Sequence, residues 1–201
     1  MRAIGYNSQR DNLSFGGKFK AFWQCFSTSS WMFMSYYSPR YMVGDDRTLA
    51  EYLDDVELSI GKRGIAEKTI ARLGLKITKN SSLYWVIQQS GIDLWLAMAG
   101  VSGKAVFHDA NFPIYSLPTL LKSGPVIIGT KKMGGLPGGH IILLVDYDPQ
   151  SNDFIVNDPF GNARTNYASQ SGQLIRYNAE WLRKYIEFAP WMCRCIYWEE
   201  G

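Results

Sequence analysis

The sequence predicts an α+β fold, with helices in its first half and an antiparallel sheet in its second half. Two observations lead to this prediction. Apolar residues recur at helical spacing before residue 100, and short β-type runs separated by turn residues follow from residue 125 onward. The chain has 201 residues, of which 46% are hydrophobic, which is enough for one core. We therefore expect a single domain over residues 1–201.

The first half begins with a loop at residues 5–24, which are rich in Gly, Ser, Asn and charged residues. The run 26–37 is apolar almost all round, which predicts a buried helix, and Ser38-Pro39 should end it. Further helices are predicted at residues 48–60, 65–73, 81–89 and 92–99. Gly91 separates the last two, so we expect a break there.

Four strands are predicted in the second half, at residues 125–130, 141–147, 153–157 and 193–198. The turn residues 148–152 should join the middle two strands into a hairpin. A short helix is expected at 117–123, started near Pro118. Another is expected at 179–187, with Asn178 as its N-cap.

Composition excludes several classes of protein. The net charge is only +3, and no basic stripe appears, so we expect no nucleic-acid partner. No apolar stretch reaches the roughly 20 residues that span a bilayer, so no membrane insertion is expected. The N-terminus lacks the apolar region of a signal peptide, which predicts cytoplasmic synthesis. Residues 100–104 lack the spacing of a phosphate-binding loop, and no cofactor is expected.

Two of the three cysteines belong to the predicted last strand. Cys193 and Cys195 are two positions apart, which puts them on one face of a strand as small buried hydrophobic residues. Three cysteines cannot form a disulfide framework, and these residues with two scattered histidines do not match a metal site.

Cys25 has a different setting, because it precedes the predicted helix 26–37. Unpaired backbone N–H groups and the positive end of the helix dipole favour a thiolate at that position. A lone cysteine is more often structural. The polar run Ser27-Thr28-Ser29-Ser30 at the helix start favours the functional interpretation.

His140 is the candidate base for this nucleophile. It opens the strongest strand signal in the chain, and Gly134, Gly135, Gly138 and Gly139 precede it. Such glycines can form an ordinary connection or let a substrate backbone approach closely. A single histidine is more often a plain surface or core residue. His108 has no comparable setting, and we interpret it as a surface residue.

Two further roles have two candidates each. Asp158 or Asn157 could orient the imidazole, and only one of them can face it, since adjacent strand residues point in opposite directions. Gln9 or Gln24 could donate to the oxyanion of acyl transfer. Gln9 is favoured, because a residue directly before the nucleophile usually points away from the same pocket.

A family resemblance rests on blocks in a fixed order. These are Ser8-Gln9-Arg10-Asp11-Asn12, the segment from Cys25 to Met32, Gly124-Pro125, Gly139-His140 and the segment from Phe154 to Asn162. Together they resemble the double-glycine-peptidase-like branch of the papain-like cysteine peptidases. The resemblance implies a papain-like fold, with Cys25 as nucleophile, His140 as base, Asp158 as orienting group and Gln9 as oxyanion donor.

The sequence departs from that branch at two places. The interval between Gln9 and Cys25 is longer than expected, which weakens the Gln9 assignment. Phe26 stands where many relatives carry Gly or Asn, which predicts a changed pocket near the acyl group.

The resemblance implies a peptide substrate. Relatives fused to transporters cut leader peptides after paired glycines, whereas a free-standing chain looks more like a bacterial or phage endolysin that cleaves cell-wall peptide crosslinks after release. Two alternatives stay open. One is a peptide-binding module that has lost its chemistry, and the other is an acyltransferase of transglutaminase type.

Overall fold

The computed structural model describes residues 4–10, 24–41, 82–186, 188 and 191–201. Within these ranges the α-helices are α1 (Cys25–Tyr37), α2 (Ser82–Met98), α3 (Leu117–Leu120) and α4 (Ala179–Arg183). None of the helices in this part of the chain is long and apolar enough to cross a membrane. The helices predicted at 48–60 and 65–73 lie outside the described residues.

Six strands form one sheet in the order β1-β6-β2-β3-β4-β5, and every neighbouring pair is antiparallel. Their bounds are β1 (Lys104–Pro113), β2 (Val126–Lys131), β3 (Gly139–Asp148), β4 (Asp153–Asn157), β5 (Ile175–Asn178) and β6 (Met192–Glu199). The predicted hairpin is present, because β3 and β4 pair around residues 148–152. The predicted α+β, papain-like fold is confirmed.

The central strands are buried on both faces. Ile127 and Leu143 belong to the core cluster that contains α1 and α2, while Ile128 and Ile142 belong to the cluster on the other side. This alternation follows from the two-residue period of a strand. The side chains of β2 and β3 therefore pack into an apolar layer on each face of the sheet. Helix α1, in one of these layers, contacts β3 directly.

A polar network joins α1 to α2 inside the first layer. Gln88 is fully buried on α2, and its amide nitrogen donates to the hydroxyls of Ser27 at 3.2 Å and Tyr84 at 3.2 Å. Its amide oxygen accepts from the Ser30 hydroxyl at 3.3 Å. Buried polar groups of this kind must be paired, so the network fixes how the two helices meet.

The prediction was wrong or incomplete for three elements, α2, β1 and β5. The break at Gly91 is absent: α2 runs through this buried glycine, since packing of its neighbours, such as fully buried Ile92, offsets the poor helix propensity of glycine. Strands β1 and β5 were not predicted. In β1 the register shifts between His108 and Phe112, so its apolar alternation is interrupted.

Other details agree with the sequence. Ser38 caps the C-terminus of α1, and the Asn178 side chain accepts from the Glu180 backbone N–H at 3.1 Å, although α4 ends at Arg183 rather than at 187. Cys193 and Cys195 are both fully buried in β6, as expected. Their mutual hydrogen bond and their burial raise the pKa of Cys195, which makes it an inert thiol.

Replacing Gln88 tests the polar network. We expect Gln88→Ala to lower the free energy of unfolding by about 2–4 kcal/mol, because it leaves a cavity and takes the partner from buried hydroxyls. Chemical denaturation measures the change, and Gln150→Ala in the exposed turn 148–152 is the control, expected within about 0.5 kcal/mol of wild type. Equal stability of the two variants would contradict the structural role of the network.

Candidate active site

Helix α1 places Cys25 at its first residue, half-buried at the edge of the core. The N-cap residue Gln24 makes no side-chain capping bond, so no cap of that kind covers the amides of the first turn. The Ser29 hydroxyl donates to the Ile141 carbonyl on β3 at 3.2 Å. This contact joins the helix that carries Cys25 to the residue that directly follows His140.

Strand β3 holds His140, whose side chain is only 2% exposed. His140 pairs with Thr130 on β2, and the Thr130 hydroxyl donates to the His140 carbonyl at 3.0 Å. A side chain on a central strand is fixed more firmly than one on a loop. The imidazole therefore has one orientation relative to the helix that carries Cys25.

The partner of the imidazole is Asp158, which follows β4 and is fully buried. His140 Nε2 lies 2.8 Å from Asp158 Oδ1. Because an ionised carboxylate only accepts hydrogen bonds, Nε2 carries the proton in this contact. The other ring nitrogen, Nδ1, is then left for the Cys25 side chain, which also interacts with His140 by a hydrogen bond and by charge.

Asn157, the other candidate for orienting the imidazole, faces elsewhere. Its side-chain oxygen accepts from the Leu174 backbone N–H at 2.9 Å. Of the adjacent residues Asn157 and Asp158, only Asp158 is in hydrogen-bond contact with the His140 ring, as the alternation of a strand predicts.

Three other donors satisfy the Asp158 carboxylate. The Phe160 backbone N–H donates to Oδ1 at 3.0 Å. The hydroxyls of Tyr177 and Tyr167 donate to Oδ2 at 3.0 and 3.3 Å. Burial and the charge of Asp158 raise the pKa of both tyrosines, so both stay neutral donors. Both oxygens of this buried carboxylate are therefore paired with hydrogen-bond donors.

The backbone of Asp158 is fixed as well. Its N–H donates to the Gly172 carbonyl at 2.8 Å, and its carbonyl accepts from the Tyr6 hydroxyl at 3.1 Å. A Cβ atom on Gly172 would lie 1.9 Å from the Asp158 carbonyl oxygen, so only glycine fits at this position. Sequence reasoning missed these residues and the two tyrosines, because no local pattern marks them.

Aromatic rings enclose the imidazole. The ring centroids of Tyr167 and Phe160 lie 5.8 and 6.3 Å from that of His140, both edge-on. Arg10 covers the Phe160 ring at 4.3 Å and donates to the Tyr167 carbonyl at 3.0 Å. Position 134 requires glycine, because a Cβ atom there would lie 2.5 Å from the Tyr167 ring. By contrast, the space beside Gly138 is open.

The ionisation of His140 reflects opposing effects. Burial by itself lowers the pKa of the imidazole. The charge of Asp158, its hydrogen bond, and then the hydrogen bond and charge of Cys25 act in the opposite direction and raise the pKa to about 10. The site therefore favours an imidazolium at neutral pH.

The two glutamines considered for the oxyanion are both buried, with 1% exposure each. The Gln9 backbone N–H donates to the Pro159 carbonyl at 2.8 Å, which puts Gln9 beside the segment that carries Asp158. The Gln24 carbonyl accepts from the Thr28 N–H at 2.9 Å as part of the first helical turn. The oxyanion role of Gln9 stays a prediction.

Phe26, the residue after Cys25, packs in the core. Its ring is 1% exposed and packs against Trp85 at 4.4 Å and Tyr84 at 5.4 Å. The large side chain is therefore accommodated in the core between α1 and α2.

Residues 3–185 match the Peptidase_C39 like family, so the match spans nearly the whole chain and contains every residue of the site. The chain belongs to this family. A comparison with curated proteins finds no match. Membership in the Peptidase_C39 like family supports cysteine peptidase activity in general and a peptide substrate. Among the described residues, no three His, Cys, Asp or Glu side chains group in a way that could hold a metal ion.

The pKa of His140 can be tested directly. Its folded-state value, about 10, exceeds its ordinary 6.5, so its charge stabilises the fold below about pH 6.5 and this contribution is lost as pH rises through about 10. Asp158→Asn removes the charge that raises the value, and we expect the pKa to fall by about 1–3. NMR of the imidazole carbon-bound protons measures both titrations.

The variant His108→Gln assigns the signals, since the chain has two histidines. A wild-type His140 that titrates near 6.5, or one whose titration is the same in Asp158→Asn, contradicts the described electrostatics.

Proposed function

We propose that the protein is a cysteine peptidase in which Cys25 is the nucleophile, His140 the base and Asp158 the group that orients the imidazole. The observation that carries the proposal is the buried contact of His140 Nε2 with Asp158 Oδ1 at 2.8 Å, with Cys25 interacting with the same ring. In this order, the three groups have the roles of a nucleophile–base–orienter system.

The reaction has two stages. His140 holds the proton of the Cys25 thiol on Nδ1, and the thiolate attacks the substrate carbonyl carbon. The tetrahedral oxygen is stabilised by the Cys25 backbone N–H and the Gln9 side chain. His140 then gives its proton to the leaving amine as the C–N bond breaks, which leaves a thioester. A water molecule gives a proton to His140 and attacks this thioester, and breaking of the C–S bond frees the carboxylic acid product and the thiolate.

The substrate that we propose is the peptide part of a bacterial cell wall. The family supports a peptide substrate, and the mild positive charge of the chain suits an anionic polymer. The open space beside Gly138, two residues before His140, would let an extended peptide backbone approach the base.

Two other interpretations are distinguished from this one by experiment. A binding module without chemistry is motivated by Phe26 and by the long segment between Gln9 and Cys25. The Phe26 ring is packed in the core, and residues 11–23 of that segment lie outside the described residues. An acyltransferase would use the same thioester with an amine in place of water, and the products distinguish the two reactions: a new amide rather than a free carboxylate.

Activity on purified cell wall tests the proposal. We expect wild type to release peptide fragments with new amino groups, which mass spectrometry identifies. Cys25→Ala should abolish this release, because no thioester can form, and His140→Ala should lower kcat by about 10²–10⁴-fold. The matched control is His108→Ala, at the irregular part of β1, which should retain activity.

The outcomes separate substrate from mechanism. Cleavage of a soluble peptide but not of cell wall would reject the wall substrate and keep the mechanism. Activity of Cys25→Ala equal to that of wild type would reject the mechanism itself.

Reactivity of the thiols gives an independent test. We expect iodoacetamide at neutral pH to modify Cys25 faster than Cys193 or Cys195, because Cys25 is half-buried beside an imidazolium and the other two are fully buried. Peptide mapping after timed quenching measures the three rates. Equal rates in the folded protein would favour a binding module, and Asp158→Ala should slow modification of Cys25 only.

A further inference from the structure

A second concave site lies at the opposite end of the β3–β4 hairpin from His140. It is a cavity of about 260 Å³, and its lining includes Tyr147 at the end of β3. Tyr147 and His140 are seven residues apart on one strand, which is a separation of roughly 20 Å. The cavity is therefore separate from the residues of the candidate active site.

Two exposed aromatic side chains line this cavity. Tyr115 is 74% exposed and Trp191 is 46% exposed. The backbone of Trp191 is in the left-handed region, with φ of 69°, which is uncommon for a bulky residue. The Trp191 carbonyl accepts from the Ile114 N–H at 3.1 Å, so the strained backbone is held in place. Strain of this kind persists where the surrounding structure fixes it, often at a binding site.

The polar groups of the cavity are paired with one another or with its aromatic side chains. Arg183 lies between the Glu180 carboxylate, at 2.9 Å, and the face of the Trp191 ring, at 4.5 Å. The Tyr147 hydroxyl donates to Asn152 Oδ1 at 2.8 Å, which orients the amide and leaves Asn152 Nδ2 as a donor. The cavity thus combines exposed aromatic rings with hydrogen-bond donors, from Asn152 and Arg183, and an acceptor, the Glu180 carboxylate.

These features define the chemistry of a ligand. The exposed aromatic rings favour a ligand that has a flat apolar face. Glu180 and Arg183 neutralise each other, so the cavity favours a ligand without net charge. Planar amide, carboxylate and guanidinium groups pair with hydroxyls or amides on the ligand. The volume lies just below the about 300–1,000 Å³ of sites for drug-sized ligands, so it suits one ring-sized unit.

We propose that this cavity binds one ring of a neutral saccharide, with an apolar ring face against Tyr115 and the part of Trp191 that Arg183 leaves exposed, and hydroxyl or amide groups toward Asn152, Glu180 and Arg183. The proposal does not depend on the chemistry at Cys25. If the substrate is cell-wall peptide, the site would hold the glycan of the same polymer while the peptide is cleaved at the other end of the sheet.

The test uses the full chain with Cys25→Ala, so that no turnover occurs. Linear oligomers of N-acetylglucosamine and of glucose are titrated separately, and NMR follows the Trp191 indole and the Asn152 side-chain amide. We expect both signals to shift with one of the two oligomers. Trp191→Ala should weaken binding about tenfold or more, and Tyr115→Ala should weaken it less. Leu94→Ala is the control, since Leu94 is 55% exposed on α2 outside the cavity.

The two oligomers distinguish an acetamido sugar from a plain one, and either result supports the proposal. Lack of shifts with both, or equal affinity in Trp191→Ala and the control, overturns it. A stronger shift with p-cresol than with either oligomer also overturns it, because the cavity would then select an aromatic ring. Catalytic failure of the wild-type enzyme on cell wall would leave these results unchanged.

Discussion

A carboxylate without contact with water constrains much of this structure. Asp158 has no exposed surface, and a charge in that position is costly unless every oxygen is paired. His140, the Phe160 amide and two tyrosine hydroxyls provide that pairing. Donors from β3, from β5 and from the segment between β4 and β5 must therefore meet at one point, and the positions of Tyr167 and Tyr177 follow from this requirement.

Backbone strain and close packing near Asp158 have the same origin. Tyr167 has φ of 61°, an uncommon conformation that directs its hydroxyl at Asp158 while its carbonyl accepts from Arg10. The Tyr6 hydroxyl accepts from the Gly172 N–H at 2.9 Å and donates to the Asp158 carbonyl, so one side chain joins three distant segments. Segments near residues 6–10, 158 and 172 thus depend on each other for their positions.

This dependence explains what the sequence could predict. Helix α1, with Cys25 at its start, and the β3–β4 hairpin follow from local signals: an apolar run with a proline stop, and turn residues between two β-type runs. Those signals also limited the orienting group to two neighbours. Tyr167 and Tyr177 had no such signal, because their role arises only when separate segments meet. The break predicted at Gly91 was wrong because tertiary packing overrides local propensity.

The charges of the site also bear on the direction of the proposed reaction. Cys25 is one of the groups that raise the pKa of His140, after Asp158. When the thiolate sulfur bonds to the carbonyl carbon, that contribution is lost, and the imidazolium becomes a stronger acid. This happens at the stage where the leaving amine must be protonated. The contact of Nε2 with Asp158 leaves Nδ1 to accept a proton again when water attacks the thioester. In the proposed reaction, a buried carboxylate in a fixed position and a cysteine whose charge changes thus let one histidine alternate between acid and base.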